Sequence, residues 1–161
     1  MISNKLTNQL IEKVLTTSKI IAMVGISFPK DEKNSRIIKR RPSIIVMEYL
    51  KEFGYKVIPV NPNSAGKKIN GEHVYEKLED IPTPVDIVNV FRPSKETPEI
   101  AKQAVKIKAK TLWLQFGIDN LEAKKIVEIA EINYIANKCI KQEYQKLFLK
   151  MSPVFPALKS N

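Results

Sequence analysis

The stretch Ile20-Ile-Ala-Met-Val-Gly-Ile-Ser27 decides how the rest of this sequence is interpreted. It is a short apolar run, too short for a helix and typical of a strand that is buried on both faces. Gly25, near its end, allows the backbone to turn sharply or another group to approach closely. A helical pattern opens later, at Pro42-Ser43. A buried strand, a glycine turn and a helix N-terminus begin many nucleotide-binding α/β domains, but the full Gly-x-Gly-x-x-Gly pattern is absent, so an ordinary buried strand is the alternative.

Strand-like and helix-like segments alternate through the rest of the sequence. Apolar residues at helical spacing predict helices over residues 3–17, 43–53, 98–108, 120–131 and 141–150. Short apolar runs predict further strands over residues 56–61, 85–91, 111–116 and 134–136. Because such alternation indicates parallel strands joined by right-handed crossovers, we expect an α/β fold with one doubly wound, five-stranded parallel sheet and helices on both faces. This domain is predicted over residues 1–148, followed by an irregular tail over 149–161.

Polar residues in front of the apolar patterns predict where three helices begin. Ser43, Thr97 and Asn120 have side chains suited to capping a helix N-terminus. The helix after Asn120 is predicted to bury an apolar face made of Leu121, Ala123, Ile126, Val127, Ile129 and Ala130. We also expect Asp86, which lies inside a strand pattern, to bind neighbouring backbone groups, and core positions for Trp113 and Tyr134.

The composition is that of a soluble globular protein. The 161 residues suffice for one domain with its own core, and 43% hydrophobic and 27% charged residues are ordinary values. The longest apolar run is too short to cross a membrane, and the polar N-terminal residues lack the apolar region of a signal peptide. Cys139 is the only cysteine, which excludes an internal disulfide and a cysteine metal cluster. We expect a cytoplasmic protein without a membrane or a metal site, for which an oligomer is possible.

The basic residues are concentrated between the first strand and the second predicted helix. The net charge is +10, and the long segment from Phe28 to Pro42 contains Lys33, Arg36, Lys39, Arg40 and Arg41. One interpretation is an anion clamp over a bound phosphate. A solvated loop is the second interpretation. Binding of nucleic acid is the third, although no aromatic platform or recognition helix accompanies the cluster.

The predicted strand ends indicate which ligand the sheet would bind. Ligands of doubly wound sheets lie outside the carboxyl ends of the strands, and an NAD site has an acidic residue at the end of the second strand. Here Asn61-Pro62 occupies that place, and Lys67 and Lys68 follow. Cations without a carboxylate favour a nucleotide with a phosphorylated ribose, which NADP and coenzyme A (CoA) both have. The sequence contains no Gly-x-x-x-x-Gly-Lys-Ser/Thr, which excludes a mononucleotide P-loop.

Several stretches carry a resemblance to a known family. They are Ile21 to Ser27, Arg41-Pro-Ser43, Gly54 to Pro62, Gly71, Leu78 to Pro82, Val85 to Val88 with Phe91-Arg92, Trp113 to Gln115 with Gly117, and Cys139 to Lys141 with Glu143. Over about residues 10–148 the chain resembles the small stand-alone CoA-binding proteins with a Rossmann-type fold. It is also similar to the CoA-binding half of the succinyl-CoA synthetase alpha subunit. It departs from the family in a longer loop over 29–40, and at Asn137 and Tyr144, where the family commonly has Asp and His.

The glycine turn, the missing acid and the resemblance together predict a site for CoA or an acyl-CoA. Around the pyrophosphate we expect the turn and the next helix N-terminus: Gly25, Ile26, Ser27, Phe28 and Ser43. Arg41 is expected to bind the 3′-phosphate, because a guanidinium bonds two phosphate oxygens at once. The adenosine end is assigned to Asn61, Pro62 and Lys67, and the pantetheine side to Phe91, Arg92, Gln115, Phe116 and Gly117.

The sequence shows no set of nucleophile, base and orienting group. His73, the only histidine, is expected at the surface, and Cys139 is expected to be an inert thiol unless neighbouring lysines lower its pKa. We therefore predict a binding module and not an enzyme. The alternatives are an NADP-dependent oxidoreductase and nucleic-acid binding through the basic loop.

Overall fold

A computed structural model describes residues 2–26 and 42–150. The strands are β1 (Ile20–Val24), β2 (Lys56–Val60), β3 (Lys68–Ile69), β4 (Glu72–His73), β5 (Ile87–Val90), β6 (Thr111–Leu114) and β7 (Asn133–Ile135). The α-helices are α1 (Ile2–Thr17), α2 (Pro42–Glu52), α3 (Thr97–Lys106), α4 (Leu121–Ile129) and α5 (Ile140–Tyr144), the last continued by a π-helical turn, Gln145–Leu149. The predicted site residues Ser27, Phe28 and Arg41 lie outside the described residues, as does the rest of the basic segment.

The main sheet has the strand order β2-β1-β5-β6-β7, and every pairing in it is parallel. The strands β3 and β4 form a separate antiparallel hairpin. From β1 the chain moves outward to β2 and then returns past β1 to β5, so the direction of winding reverses between β1 and β5. The predicted fold, a doubly wound five-stranded parallel sheet, is confirmed. Its ligand crevice is expected where β1 and β5 end.

Helices cover both faces of the sheet because successive strand residues point to opposite sides. Ala22 and Val24 of β1 pack in one apolar core with α3 and α4. Ile21 and Met23 pack in a second core with α1, α2 and α5. Trp113 is fully buried in this second core, as predicted, and its indole N–H donates to the Lys138 carbonyl at 2.8 Å. Alternation along a single short strand therefore builds two cores.

The strand β2 forms one edge of the sheet and contains a proline. Pro59 pairs in register with Met23, and its carbonyl, on the outer side, accepts from the Tyr75 N–H at 3.0 Å. The Asn61 N–H donates to the Tyr75 carbonyl at 2.9 Å. Tyr75 therefore covers the carboxyl end of this edge strand. Pro59 is tolerated in β2 because an edge strand can include a residue without an N–H.

A carboxylate fastens the amino ends of two neighbouring strands, as predicted for Asp86. Its Oδ2 accepts from the backbone N–H groups of Lys19 and Ile20, at 2.9 Å each, and its Oδ1 lies 3.4 Å from the Lys110 ammonium. Burial favours the protonated acid, but the backbone donors and Lys110 outweigh it and lower the pKa of Asp86. The carboxylate is thus held in its charged form.

The predicted helix starts are corrected at two of three positions. Pro42 is the first residue of α2, where its fixed φ fits, so Ser43 lies within the helix, buried, and is not the cap. Thr97 is also helical, because a 3-10 turn (Ser94–Glu96) leads into α3, and its hydroxyl donates to the Ser94 carbonyl. Asn120 caps α4 as predicted, accepting from the Ala123 N–H at 2.9 Å.

The predicted apolar face of α4 is only partly correct. Ala123 and Val127 are fully buried, whereas Leu121 and Ile129 are 66% and 85% exposed. Leu121 and Ile129 are the first and last residues of the helix, and they lie beyond the surface that it buries against α3 and β7. Tyr134, predicted in the core, is only half-buried.

Candidate functional site

A cleft of about 420 Å³ opens at the carboxyl edge of the sheet, beside the ends of β1, β2 and β5. Gly25, Asn61, Pro62 and Arg92, four of the predicted site residues, line it together. Its walls also include three apolar side chains, Val24, Val60 and Ile100, and four charged ones, Glu76, Lys77, Glu96 and Glu99. The cleft thus lies where the winding of the sheet reverses, and its lining combines apolar and charged groups.

The Gly25 turn has a conformation and a neighbour that both require glycine. Its φ is +96°, and its N–H donates to the Val60 carbonyl at 3.0 Å. A Cβ at this position would lie 2.6 Å from Cδ of Arg92 and 3.0 Å from the Phe91 carbonyl oxygen. Both sequence interpretations of this glycine therefore hold, and the group that approaches closely is a side chain of the same chain.

Arg92 crosses this turn and ends in an ion pair. Its Nη2 lies 2.9 and 3.0 Å from the two carboxylate oxygens of Glu96, four residues further along. The two side chains are 42% and 40% exposed. Within the described part of the chain, the other N–H groups of the guanidinium have no hydrogen-bond partner. Arg92 therefore retains donors that an anion in the cleft can use.

Asn61 joins the ends of β1 and β2. The side chain is almost fully buried; its Nδ2 donates to the Ile26 carbonyl at 2.8 Å, and its Oδ1 accepts from the Asn63 N–H at 2.9 Å. The second bond caps a 3-10 turn, Pro62–Ser64. Asn61 is thus a residue that positions the turn after β1, and its carbonyl-bound amide also fixes Ile26, which is itself buried.

The carboxylates of the cleft were not predicted from the sequence. Glu76 lies far from Asn61 in the sequence, yet it reaches the end of β2 because Tyr75, its neighbour, bridges to Val60. Glu96 and Glu99 come from the turn before α3 and from its first turn. No acid follows β2 in the sequence, but the fold supplies one there, and only the strand-to-strand contact at Tyr75 could have revealed it.

The remaining predicted residues lie away from the lining of the cleft. Phe91 is half-buried against the core of α1, α2 and α5, and Phe116 is 75% exposed. Gly117 donates its N–H to Oδ1 of Asn137 at 2.7 Å. Lys67 is exposed, and its backbone pairs with Ser64 and Val74.

Gln115 belongs to a buried polar pair that was not predicted from the sequence. Its Oε1 accepts from Nδ2 of Asn89 and from the Ile140 N–H, at 3.0 Å each. Asn89 is fully buried between Met23 and Trp113 in the sheet, and its Oδ1 has no hydrogen-bond partner among residues 2–26 and 42–150. Gln115 therefore ties β5 and β6 to the start of α5.

The histidine, the cysteine and the tyrosines with a shifted pKa lie outside the cleft. His73 is exposed, as predicted, and its ring contacts Tyr75 edge-on at 4.7 Å. Cys139 is half-buried against the core of α1, α2 and α5. Burial, followed by the hydrogen bond to Asp119, raises the pKa of Tyr134. Among the described residues, those lining the cleft include no histidine, cysteine or hydroxyl side chain, and no three potential metal ligands cluster.

Comparison with known proteins gives a consistent result. A family model described as a CoA binding domain matches residues 19–145. The uncharacterized protein YneT of Bacillus subtilis (strain 168) is 34% identical over 131 residues, covering 81% of this chain and 89% of that protein. The structure of a hypothetical protein from Pyrococcus horikoshii OT3 is similar with 38% identity and a TM-score of 0.76, covering 87% of this chain and 91% of its own. The structure of cell-free ID.343 from Thermus thermophilus is similar with 33% identity and a TM-score of 0.77, and the match covers 88% of this chain and 98% of that chain. In the described ranges, no helix is long and apolar enough to cross a membrane.

Proposed function

The chain belongs to the CoA-binding domain family, and on this premise we propose that it binds coenzyme A or an acyl-CoA at the carboxyl edge of its sheet. The observation that carries the proposal is that the cleft lies within the residues that match the family model and at the point where sheets of this type bind their ligands. The family match spans residues 19–145, and within it the cleft opens where the winding of the sheet reverses. This is where sheets of this type bind nucleotides.

The chemistry of the cleft supports this ligand class. Its volume of about 420 Å³ is that of a small-molecule pocket. Val24, Val60 and Ile100 offer an apolar wall to an adenine ring, and the Glu76 carboxylate at the end of β2 can accept hydrogen bonds from the amine or the ribose hydroxyls. Arg92 offers a guanidinium to the pyrophosphate. The pantetheine arm is proposed to leave the cleft past Arg92 along the sheet edge.

The phosphate ligands expected at Ser27, Phe28 and Arg41 stay predictions. They precede α2, whose first helical residue is Pro42, and free N–H groups at a helix N-terminus favour phosphate. The basic residues from Lys33 to Arg41 would add a positive potential near this end. We assign the 3′-phosphate to this segment, since the described cleft carries more carboxylates than cations.

We also propose that the protein is a binding module without catalysis. The support is that the cleft lining, in the described residues, offers no nucleophile and no general base other than carboxylates. An acyl-CoA would then be bound and released unchanged. Incubation with acetyl-CoA and analysis by mass spectrometry tests this, and conversion at a rate proportional to protein concentration would overturn it.

Calorimetric titration with CoA, dephospho-CoA, NADP and NAD tests the ligand. We expect CoA to bind and both nicotinamide nucleotides to bind at least tenfold more weakly. No binding of CoA at millimolar concentration, together with tight binding of NADP, would overturn the proposal in favour of an oxidoreductase. Polyanion binding that falls steeply with salt and ignores CoA would instead indicate nucleic acid.

The Arg41→Ala variant tests the assignment of the 3′-phosphate. We expect CoA binding to weaken by ~1.5–3 kcal/mol, the range for hydrogen bonds to charged groups, and dephospho-CoA binding to weaken less. Lys33→Ala, in the same basic segment, serves as the control for a general loss of positive charge. Equal losses for both ligands would move Arg41 to the pyrophosphate, and no loss would return the segment to the solvated-loop interpretation.

A further inference from the structure

The side chain of Arg92 occupies the approach to the glycine turn. Its Cδ lies 2.6 Å from the position that a Cβ on Gly25 would take, so the aliphatic part of Arg92 rests directly on the turn. The proposed pyrophosphate would have to bind at this same surface. Arg92 must therefore either contact the ligand or move when it binds.

Glu96 holds Arg92 in this position. The carboxylate binds Nη2 with both oxygens, at 2.9 and 3.0 Å, and Glu96 itself lines the cleft. Both side chains are about two-fifths exposed, so solvent screens the pair and its strength is modest. A phosphate presents the same kind of paired oxygen acceptors to a guanidinium, with more negative charge.

We propose that Glu96 is an internal competitor for the ligand phosphate and thereby weakens the binding of phosphate-containing ligands to the cleft. This inference rests on the proposed function. In the free protein the Glu96 carboxylate binds the Arg92 guanidinium. A ligand with a pyrophosphate displaces this carboxylate, and the guanidinium then binds the phosphate. A ligand without phosphate cannot replace Glu96 on Arg92. Glu96 therefore lowers the affinity for CoA slightly and leaves that for adenosine unchanged.

A matched pair of variants tests this competition. Glu96→Gln removes the carboxylate that binds Arg92, and Glu99→Gln removes the same charge from the same wall without touching Arg92. Glu99 lines the cleft too, and its carboxylate lies 3.8 Å from Lys102. By calorimetry we expect Glu96→Gln to bind CoA roughly threefold more tightly, as expected for removal of a competing exposed ion pair. Adenosine affinity should not change in either variant, and Glu99→Gln should change CoA affinity clearly less.

The same comparison in an Arg92→Ala background separates competition from a general effect of charge. If Glu96 acts through Arg92, the gain in CoA affinity from Glu96→Gln falls in this background to the smaller gain from Glu99→Gln. A Glu96→Gln gain that stays larger than the Glu99→Gln gain without Arg92 would overturn the inference. So would equal effects of Glu96→Gln and Glu99→Gln when Arg92 is present.

Pyrophosphate, titrated into the same variants, distinguishes the failure of this inference from that of the proposed function. If the wild-type protein ignores CoA but Glu96→Gln binds pyrophosphate more tightly in an Arg92-dependent way, the competition stands and CoA is the wrong ligand. If CoA binds and Glu96→Gln changes neither ligand, the function stands and the competition is refuted. If neither ligand binds any variant, both ideas fail.

Discussion

The two ends of β5 carry charges that are held in opposite ways. At the amino end, Asp86 is 16% exposed, and two of its three donors are backbone N–H groups. At the carboxyl end, Arg92 is 42% exposed, and its partner Glu96 is a similarly exposed side chain. A charge that binds the backbone cannot exchange its partners without unfolding, whereas a charge that binds a mobile side chain can. The amino end is therefore structural, and the carboxyl end is suited to binding.

The largest effect on stability is expected at Gly25, the position at the carboxyl end that tolerates a side chain least. Gly25→Ala should lower the free energy of unfolding by about 2–4 kcal/mol, because a side chain at φ +96° is strained and its Cβ would overlap Arg92 and approach the Phe91 carbonyl. Urea denaturation measures it. The control is Gly117→Ala, whose φ of +84° is similar but whose Cβ would meet nothing within 4 Å, at a cost of about 1–2 kcal/mol. Equal losses in the two variants would remove the argument that Arg92 rests on the turn.

A smaller loss is expected at the amino end. Asp86→Ala should destabilise by about 2 kcal/mol at neutral pH, since it leaves two backbone donors without their charged acceptor. Because the pKa of Asp86 is lowered in the folded state, its contribution is complete above the unfolded value of about 3.9 and is lost as the pH falls through the folded pKa. The gap between wild type and variant should therefore narrow only below about pH 4. Asp80→Ala, at an exposed carboxylate, should change stability by less than about 0.5 kcal/mol; a comparable loss there would contradict the assignment.

Asn61 tests whether the carboxyl end also contains structural bonds. Asn61→Ala removes the bonds to the Ile26 carbonyl and the Asn63 N–H and should cost about 1–2 kcal/mol in urea denaturation. Asn63→Ala keeps its backbone N–H and should cost less than about 0.5 kcal/mol. If the two variants were equally stable, Asn61 would not be what positions the glycine turn.

The smallest expected effect is a gain in stability from a substitution at the amino end of the sheet. Lys108, after the end of α3, has φ +58°, where glycine is favoured, so Lys108→Gly should stabilise the protein by about 0.5–1 kcal/mol. Lys102→Gly, in the interior of the same helix, should instead cost about 1 kcal/mol. Thermal unfolding measures both. A loss of stability in Lys108→Gly would mean that the lysine side chain contributes more than its strained backbone costs.

The fold could be predicted from the sequence because its signals are local. Short apolar runs such as Ile20 to Ile26 indicate where the strands lie. The helical patterns between these runs imply that the strands pair in parallel. The two interpretations of Gly25 were also correct, since a sharp turn and a close approach both need a residue without Cβ. Asp86 was predictable for a similar reason, because a buried acid inside a strand needs nearby donors.

Gly25, Asn61, Pro62 and Arg92 were predicted for the site and line the cleft, but its carboxylates could not be predicted, because their positions depend on contacts between residues separated in the sequence. Glu76 reaches the cleft because its neighbour Tyr75 forms a β-bridge with Val60, and no periodic pattern in the sequence predicts this bridge. Gln115, predicted as part of the crevice, instead binds Asn89 and the start of α5, because that strand position points to the opposite face. Ser43 was predicted as a cap because serine suits that role, yet Pro42 fits the first helical position better.

The edge strand β2 has a consequence for how copies of this protein can meet. An uncovered edge is a template onto which another chain can add, and it promotes aggregation and fibril growth. Here Pro59 offers no outward N–H, while the Pro59 carbonyl and the Asn61 N–H are both bonded to Tyr75. A second chain cannot extend the ladder past this point without displacing Tyr75. The carboxyl end of this edge strand is therefore protected against the addition of another chain.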